Sequence, residues 1–98
     1  MIKIVLILKE DCPACSIVKR VITEAINKIG CEVTFKIING SNLNINSYKV
    51  KVFPTTIFYK YVGDIDLPTP YYNEIARLEG SFPIDYLNKV IEKLKLEL

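Results

Sequence analysis

The run Ile2–Leu8 limits the fold before anything else does. It is rich in β-branched residues and, apart from Lys3, wholly apolar. A strand of that kind is buried on both faces, as at the centre of a sheet covered by helices. The residues after it supply such a cover. Val18, Val21, Ile22, Ala25 and Ile29 recur at helical spacing and predict a helix over residues 13–28. Pro13 suits the first helical position, where its missing N–H costs nothing. Gly30 is a natural stop. Residues 31–38 read as a second strand. A strand, a helix and a strand at this spacing close as a right-handed unit with parallel strands.

The remainder completes a small α/β sheet. Asn39-Gly40-Ser41-Asn42 predicts a turn, and the Asn-rich residues 43–51 a short, imperfect helix or a loop. A third strand is expected over residues 55–61, opening directly after Pro54. Gly63, Pro68 and Pro70 make residues 62–73 a loop, and residues 74–79 a short fourth strand ended by Gly80. A last helix begins near Pro83, with Asp85 in its first turn and Leu87, Val90, Ile91, Leu94 and Leu98 as its apolar stripe. The order is β-α-β-(α)-β-β-α, a four-stranded mixed sheet flanked by helices. No repeat or linker divides the 98 residues, so residues 1–98 are expected to form one domain.

Three cysteines, Cys12, Cys15 and Cys31, are an odd number, and two of them lie three residues apart. A secreted disulfide scaffold of this size carries about four to eight in an even set. In a reducing compartment a close pair is catalytic or metal-binding more often than structural. There is no histidine. That removes Cys–His dyads, an imidazole base and most zinc sites. Cys12 stands where the first strand meets the helix. Free backbone N–H groups and the positive end of the helix dipole there favour a thiolate. Cys15 sits one turn further in, on the same face, within reach of Cys12. A disulfide across one helical turn closes too small a loop to constrain the chain much. Redox chemistry is the better reading of the pair. Cys31, alone at the start of a strand, reads as a small buried residue.

With Cys12-Pro13-Ala14-Cys15 in this setting, the chain resembles the thioredoxin/glutaredoxin superfamily over nearly its whole length. Tyr48-Lys49-Val50-Lys51-Val52-Phe53-Pro54-Thr55 is similar to the thioredoxin run that leads into a cis-proline. Arg77-Leu78-Glu79-Gly80 resembles the final strand with its glycine beside the active site. The resemblance implies a thioredoxin-like fold, a cis Phe53–Pro54 bond, and a thiol–disulfide oxidoreductase with catalytic Cys12 and Cys15. It implies a substrate groove at Pro13, Ala14, Phe53, Pro54, Thr55 and Gly80, in which Phe53 adds an apolar contact. It also sets Lys36 where thioredoxins carry a lysine near the buried sulfur, a possible acid/base; the plainer reading is an exposed strand lysine. Three features depart from the pattern. The extra N-terminal strand and helix of thioredoxins are absent. The buried acid that they carry six residues before the first cysteine is Leu6. Gly80-Ser81-Phe82-Pro83-Ile84-Asp85 lacks the Gly-Gly and acidic pair with which glutaredoxins hold glutathione.

The expected partners are disulfide-containing proteins and a reductase or low-molecular-weight thiol. No cofactor beyond the Cys12–Cys15 disulfide and no metal is expected, and the chain is taken as a monomer. A glutathione-dependent glutaredoxin, an iron–sulfur cluster carrier and a redox-inactive binding module are the alternatives. Net charge is +2 with both signs mixed along the chain, so nucleic acid and anionic membrane are not expected partners. The longest apolar run, residues 4–8, falls far short of the ~20 residues that span a bilayer. With no secretory signal, the cytoplasm is the expected location.

Overall fold

A computed structural model describes residues 2–28, 33–40, 48–62 and 71–96. Strand β1 (Ile2–Leu8) leads into helix α1 (Pro13–Ile26) and strand β2 (Val33–Asn39); strands β3 (Thr55–Val62) and β4 (Tyr71–Glu79) and helix α2 (Ile84–Leu96) follow. The sheet order is β2-β1-β3-β4. β1 is parallel to β2, with Val5 beside Lys36, and antiparallel to β3, with Leu6 beside Thr56. β3 and β4 are antiparallel. The apolar run is thus an interior strand, as its composition demands.

The two faces of β1 fill two cores. Ile2, Ile4 and Leu6 pack with Val18, Ile22 and Ala25 of α1, Phe58 of β3, and Leu87 and Ile91 of α2. Both helices therefore cover the same face. On the other face Val5, Ile7, Ile38 and Ile57 are closed over by Tyr48, Val50, Phe53 and Tyr59. Arg77 fastens that cover: it donates from Nη1 to the Lys49 carbonyl (3.2 Å), while Nε and Nη2 grip the Glu74 carboxylate (3.2 and 2.9 Å). The fork to Glu74 holds Arg77 above the ordinary guanidinium value.

β4 starts at Tyr71, not at residue 74, because Tyr71–Asn73 pair with Val62–Lys60. A bulge puts Ile75 out of register and hides the period of two. The loop expected over residues 62–73 is correspondingly shorter. Val62 and Tyr71, which flank it, lie at the Ile2 end of the sheet, away from Cys12. α1 ends at Ile26, two residues early. Gly30, Cys31, most of the segment 43–51 and the tip of the loop fall outside the described residues; within that segment, Lys49 turns the chain at φ 56°.

Candidate active site

The site is assembled at the sheet end where β1 stops. Lys9, Glu10 and Asp11 are exposed, and Asp11 turns the chain through φ 54°. Cys12 then caps α1 in extended conformation, and Pro13 opens the helix. The Cys12 carbonyl accepts from the N–H groups of Cys15 (3.1 Å) and Ser16 (3.3 Å). The Cys12 sulfur accepts from the Cys15 N–H at 3.1 Å. That is the bond a helix N-terminus offers an anion, and no acidic residue in the first turn opposes it. Cys12 and Cys15 form a disulfide, their Cα atoms 5.2 Å apart. Cys12 is half-buried, whereas Cys15 is 3% exposed and heads the buried stripe of α1.

The chain reaches the same sheet end from two other places. Thr55 pairs with Ile7 and with Glu79, so Pro54 and Gly80 lie beside the end of β1. The Phe53–Pro54 bond is cis. The Gly80 N–H donates to the Pro54 carbonyl at 2.7 Å, and Gly80 takes φ 81° as it leaves β4. Pro54 and Thr55 are buried, and the Thr55 hydroxyl donates to the Val52 carbonyl at 2.7 Å. Pro13 is exposed and Ala14 half-buried.

Two expected members sit elsewhere. Lys36 is alongside Val5, on the face away from α1, so it does not share a face with Cys15; it is exposed. The position on the α1 face next to Leu6 is Ile37, one residue on. The Phe53 ring packs into the second core and against Gly40, where an added Cβ would meet it at 2.6 Å. The Lys9 ammonium lies 5.7 Å from that ring's centre. The Phe53 ring is thus committed to the second core and does not supply the expected apolar contact beside Cys12. Exposed apolar side chains close in sequence to these residues are Ile17 (49%), two after Cys15, Val52 (41%), two before Pro54, and Ile84 (37%), four after Gly80, which the motifs do not reveal. Thr56 is also missed: it is fully buried, and its hydroxyl has no partner among the described residues. The double Thr55-Thr56 at the start of β3 is the signal, since one of two neighbours must face α1.

Among the described residues no group of three or more His, Cys, Asp or Glu is placed to hold a metal ion. No described helix is long and apolar enough to cross a membrane.

No protein-family model and no curated protein matches the chain. Solved structures do. Thioredoxin of Trichomonas vaginalis superposes with a TM-score of 0.75 at 17% identity, over 94% of this chain and 78% of that one. Thioredoxin of Plasmodium falciparum gives 0.73 at 19% identity, over 95% and 70%. Mitochondrial thioredoxin 3 of Saccharomyces cerevisiae, in its oxidized form, gives 0.73 at 17%, over 95% and 78%. The chain has the thioredoxin fold.

Proposed function

We propose that this chain is a thiol–disulfide oxidoreductase that reduces protein disulfides through Cys12 and Cys15. The observation that carries the reading is the pair itself: a disulfide at the start of α1, its half-buried sulfur facing a helix N–H and its partner buried. In the dithiol form the Cys12 thiolate attacks one sulfur of a substrate disulfide, and the other sulfur leaves as a thiolate that takes up a proton. Cys12 is then joined to the substrate. Cys15 loses its proton and attacks the Cys12 sulfur. The Cys12–Cys15 bond forms, the Cys12–substrate bond breaks, and the second substrate sulfur leaves as a thiol. Two electrons have passed to the substrate.

The surroundings support a protein substrate. Exposed Ile17, Val52 and Ile84, close in sequence to Cys15, Pro54 and Gly80, would give the reactive end an apolar border. The Phe53 backbone beside Pro54 offers polar groups to an extended segment, in the manner of strand addition. Pro13, Ala14, Pro54, Thr55 and Gly80 shape the rest of that groove. A reductase or a low-molecular-weight thiol would return the disulfide to the dithiol. The odd cysteine count suits a reducing compartment, and the chain is read as a single-domain monomer of the cytoplasm.

The test is reduction of a disulfide-bonded protein by the dithiol form. Wild-type protein is expected to turn over with an added thiol reductant. Cys12→Ser is expected to be inactive. Cys15→Ser is expected to accumulate a mixed disulfide at Cys12, seen as added mass. Faster alkylation of Cys15 than of Cys12 in reduced protein would reverse the assigned roles. Preference for a small glutathione mixed disulfide over the protein substrate would favour a glutaredoxin.

A further inference from the structure

Among the described residues, the sheet beneath α1 carries a buried polar side chain with no hydrogen-bond partner. Thr56 is Leu6's cross-strand neighbour, and Leu6 packs under Val18 and Ile22 of α1. Directly opposed residues of an antiparallel pair share a face. The Thr56 side chain therefore faces the layer that the stripe Cys15, Val18, Ile22 and Ala25 covers. It is 0% exposed, and its oxygen has no hydrogen-bond partner among the described residues. Its neighbour Thr55, on the other face, has its hydroxyl bonded to Val52. A buried hydroxyl without a partner destabilises the fold, and a valine of the same shape would not carry that cost. Such a group calls for a use outside the resting structure.

The position of Cys15 supplies one. Cys15 is the first residue of the buried stripe, at the end of α1 that lies over the end of β1. In the disulfide its sulfur is a poor acceptor. During resolution it must exist as a thiolate, and burial in an apolar layer disfavours a charge. The positions around Thr56 on that face of the sheet, Leu6, Phe58 and Leu78, are apolar. Among the sheet positions facing α1, the charged Lys60 stands opposite Ile2, at the far end. Glu10 and Asp11 on the preceding loop and Lys19 and Arg20 on α1 are exposed, and Asp85 on α2 is exposed as well.

We propose that the Thr56 hydroxyl donates a hydrogen bond to the Cys15 sulfur when that sulfur is a thiolate, and so speeds release of the reduced substrate. Thr56 does not remove the proton; that goes to solvent or to the departing substrate thiolate. The orphaned hydroxyl of the disulfide form is the donor held ready for the dithiol form. This inference rests on the proposed exchange reaction at Cys12 and Cys15.

The experiment compares wild-type, Thr56→Val and Thr56→Ser proteins. The ¹³Cβ resonance of Cys15 in reduced protein is followed against pH, and resolution of a Cys12 mixed disulfide with a thiol-containing peptide is timed. Thr56→Val is expected to move the Cys15 titration to higher pH and to slow resolution about tenfold, the rate equivalent of one hydrogen bond to a charged group. Thr56→Ser keeps the hydroxyl and is expected to stay within about threefold of wild type. Urea unfolding of the oxidised Thr56→Val protein is expected to be no easier than that of wild type. An unchanged Cys15 titration in Thr56→Val, or a destabilised oxidised form, would overturn the role of Thr56. Wild-type protein that exchanges with no disulfide substrate would overturn the functional reading instead, and the titration would still judge Thr56 by itself.

Discussion

Asp11 and Cys12 together place the Cys12 sulfur at the start of α1. Asp11, at φ 54°, adopts a left-handed turn that an aspartate tolerates better than most residues. That turn brings Cys12 to the helix N-terminus in extended conformation. The same residue carries a carboxylate one position before Cys12, and a negative charge close to the sulfur would work against a Cys12 thiolate. Asp11→Asn keeps a side chain suited to the turn and removes the charge. It is expected to speed alkylation of Cys12 at neutral pH by about two- to fivefold, the scale of an exposed charge interaction. An alkylation–pH profile identical to wild type would show that the Asp11 carboxylate points away from the sulfur. Asp11→Ala should instead weaken the fold by about 1–2 kcal/mol, because alanine has no means of easing a left-handed turn.

At the scale of elements, two glycines show different constraints around the site. At Gly80 an added Cβ meets nothing within 4 Å, but the backbone stands at φ 81°. Gly80→Ala should cost about 1–2 kcal/mol from conformation alone. At Gly40 the added Cβ would meet the Phe53 ring at 2.6 Å and the Leu8 carbonyl at 3.0 Å. Gly40→Ala should cost about 1–3 kcal/mol by overpacking, and Phe53→Leu should recover part of it. Urea unfolding of the three single variants and the Gly40→Ala/Phe53→Leu pair checks both; full additivity of the pair would show that ring and Cβ do not collide. These elements also mark how far the fold can be read from residue order. α1 and α2 are legible from their apolar stripes, β1 from its continuous apolar run, and β3 from its opening directly after Pro54. The start of β4 is not, since the bulge at Ile75 breaks the alternation of Tyr71–Glu79. The cysteine pair is legible because its chemistry depends on local sequence. The face on which Lys36 lies depends on strand register, which a one-residue shift inverts. The direction of the Phe53 ring depends on a gap at Gly40 that only the folded chain creates.

For the molecule as a whole, the two sheet faces are protected unequally. Both helices lie on one, and the segment around Tyr48–Phe53 closes the other with Tyr59. Burial, with smaller contributions from the Glu74 carboxylate and Tyr48 and opposed by Arg77, raises the Tyr59 phenol above its usual value of 10.0. The folded chain thus keeps a proton that the unfolded chain releases first. The stability this contributes is complete below pH 10.0 and is lost as pH rises through the folded value. Tyr59→Phe is expected to flatten the alkaline fall of unfolding free energy; parallel wild-type and variant curves above pH 10 would contradict that. The claim on which the rest depends is that the Cys12–Cys15 bond is made and broken in use and does not serve as a staple. Its reduction potential, measured by equilibration with glutathione buffers and mass spectrometry of alkylated protein, tests this most directly. A reversible couple between about −180 and −270 mV is expected, the range of disulfide-exchanging proteins. The proline after Cys12 points to the less reducing part of it. A potential below about −300 mV, where structural disulfides lie, would contradict the oxidoreductase reading.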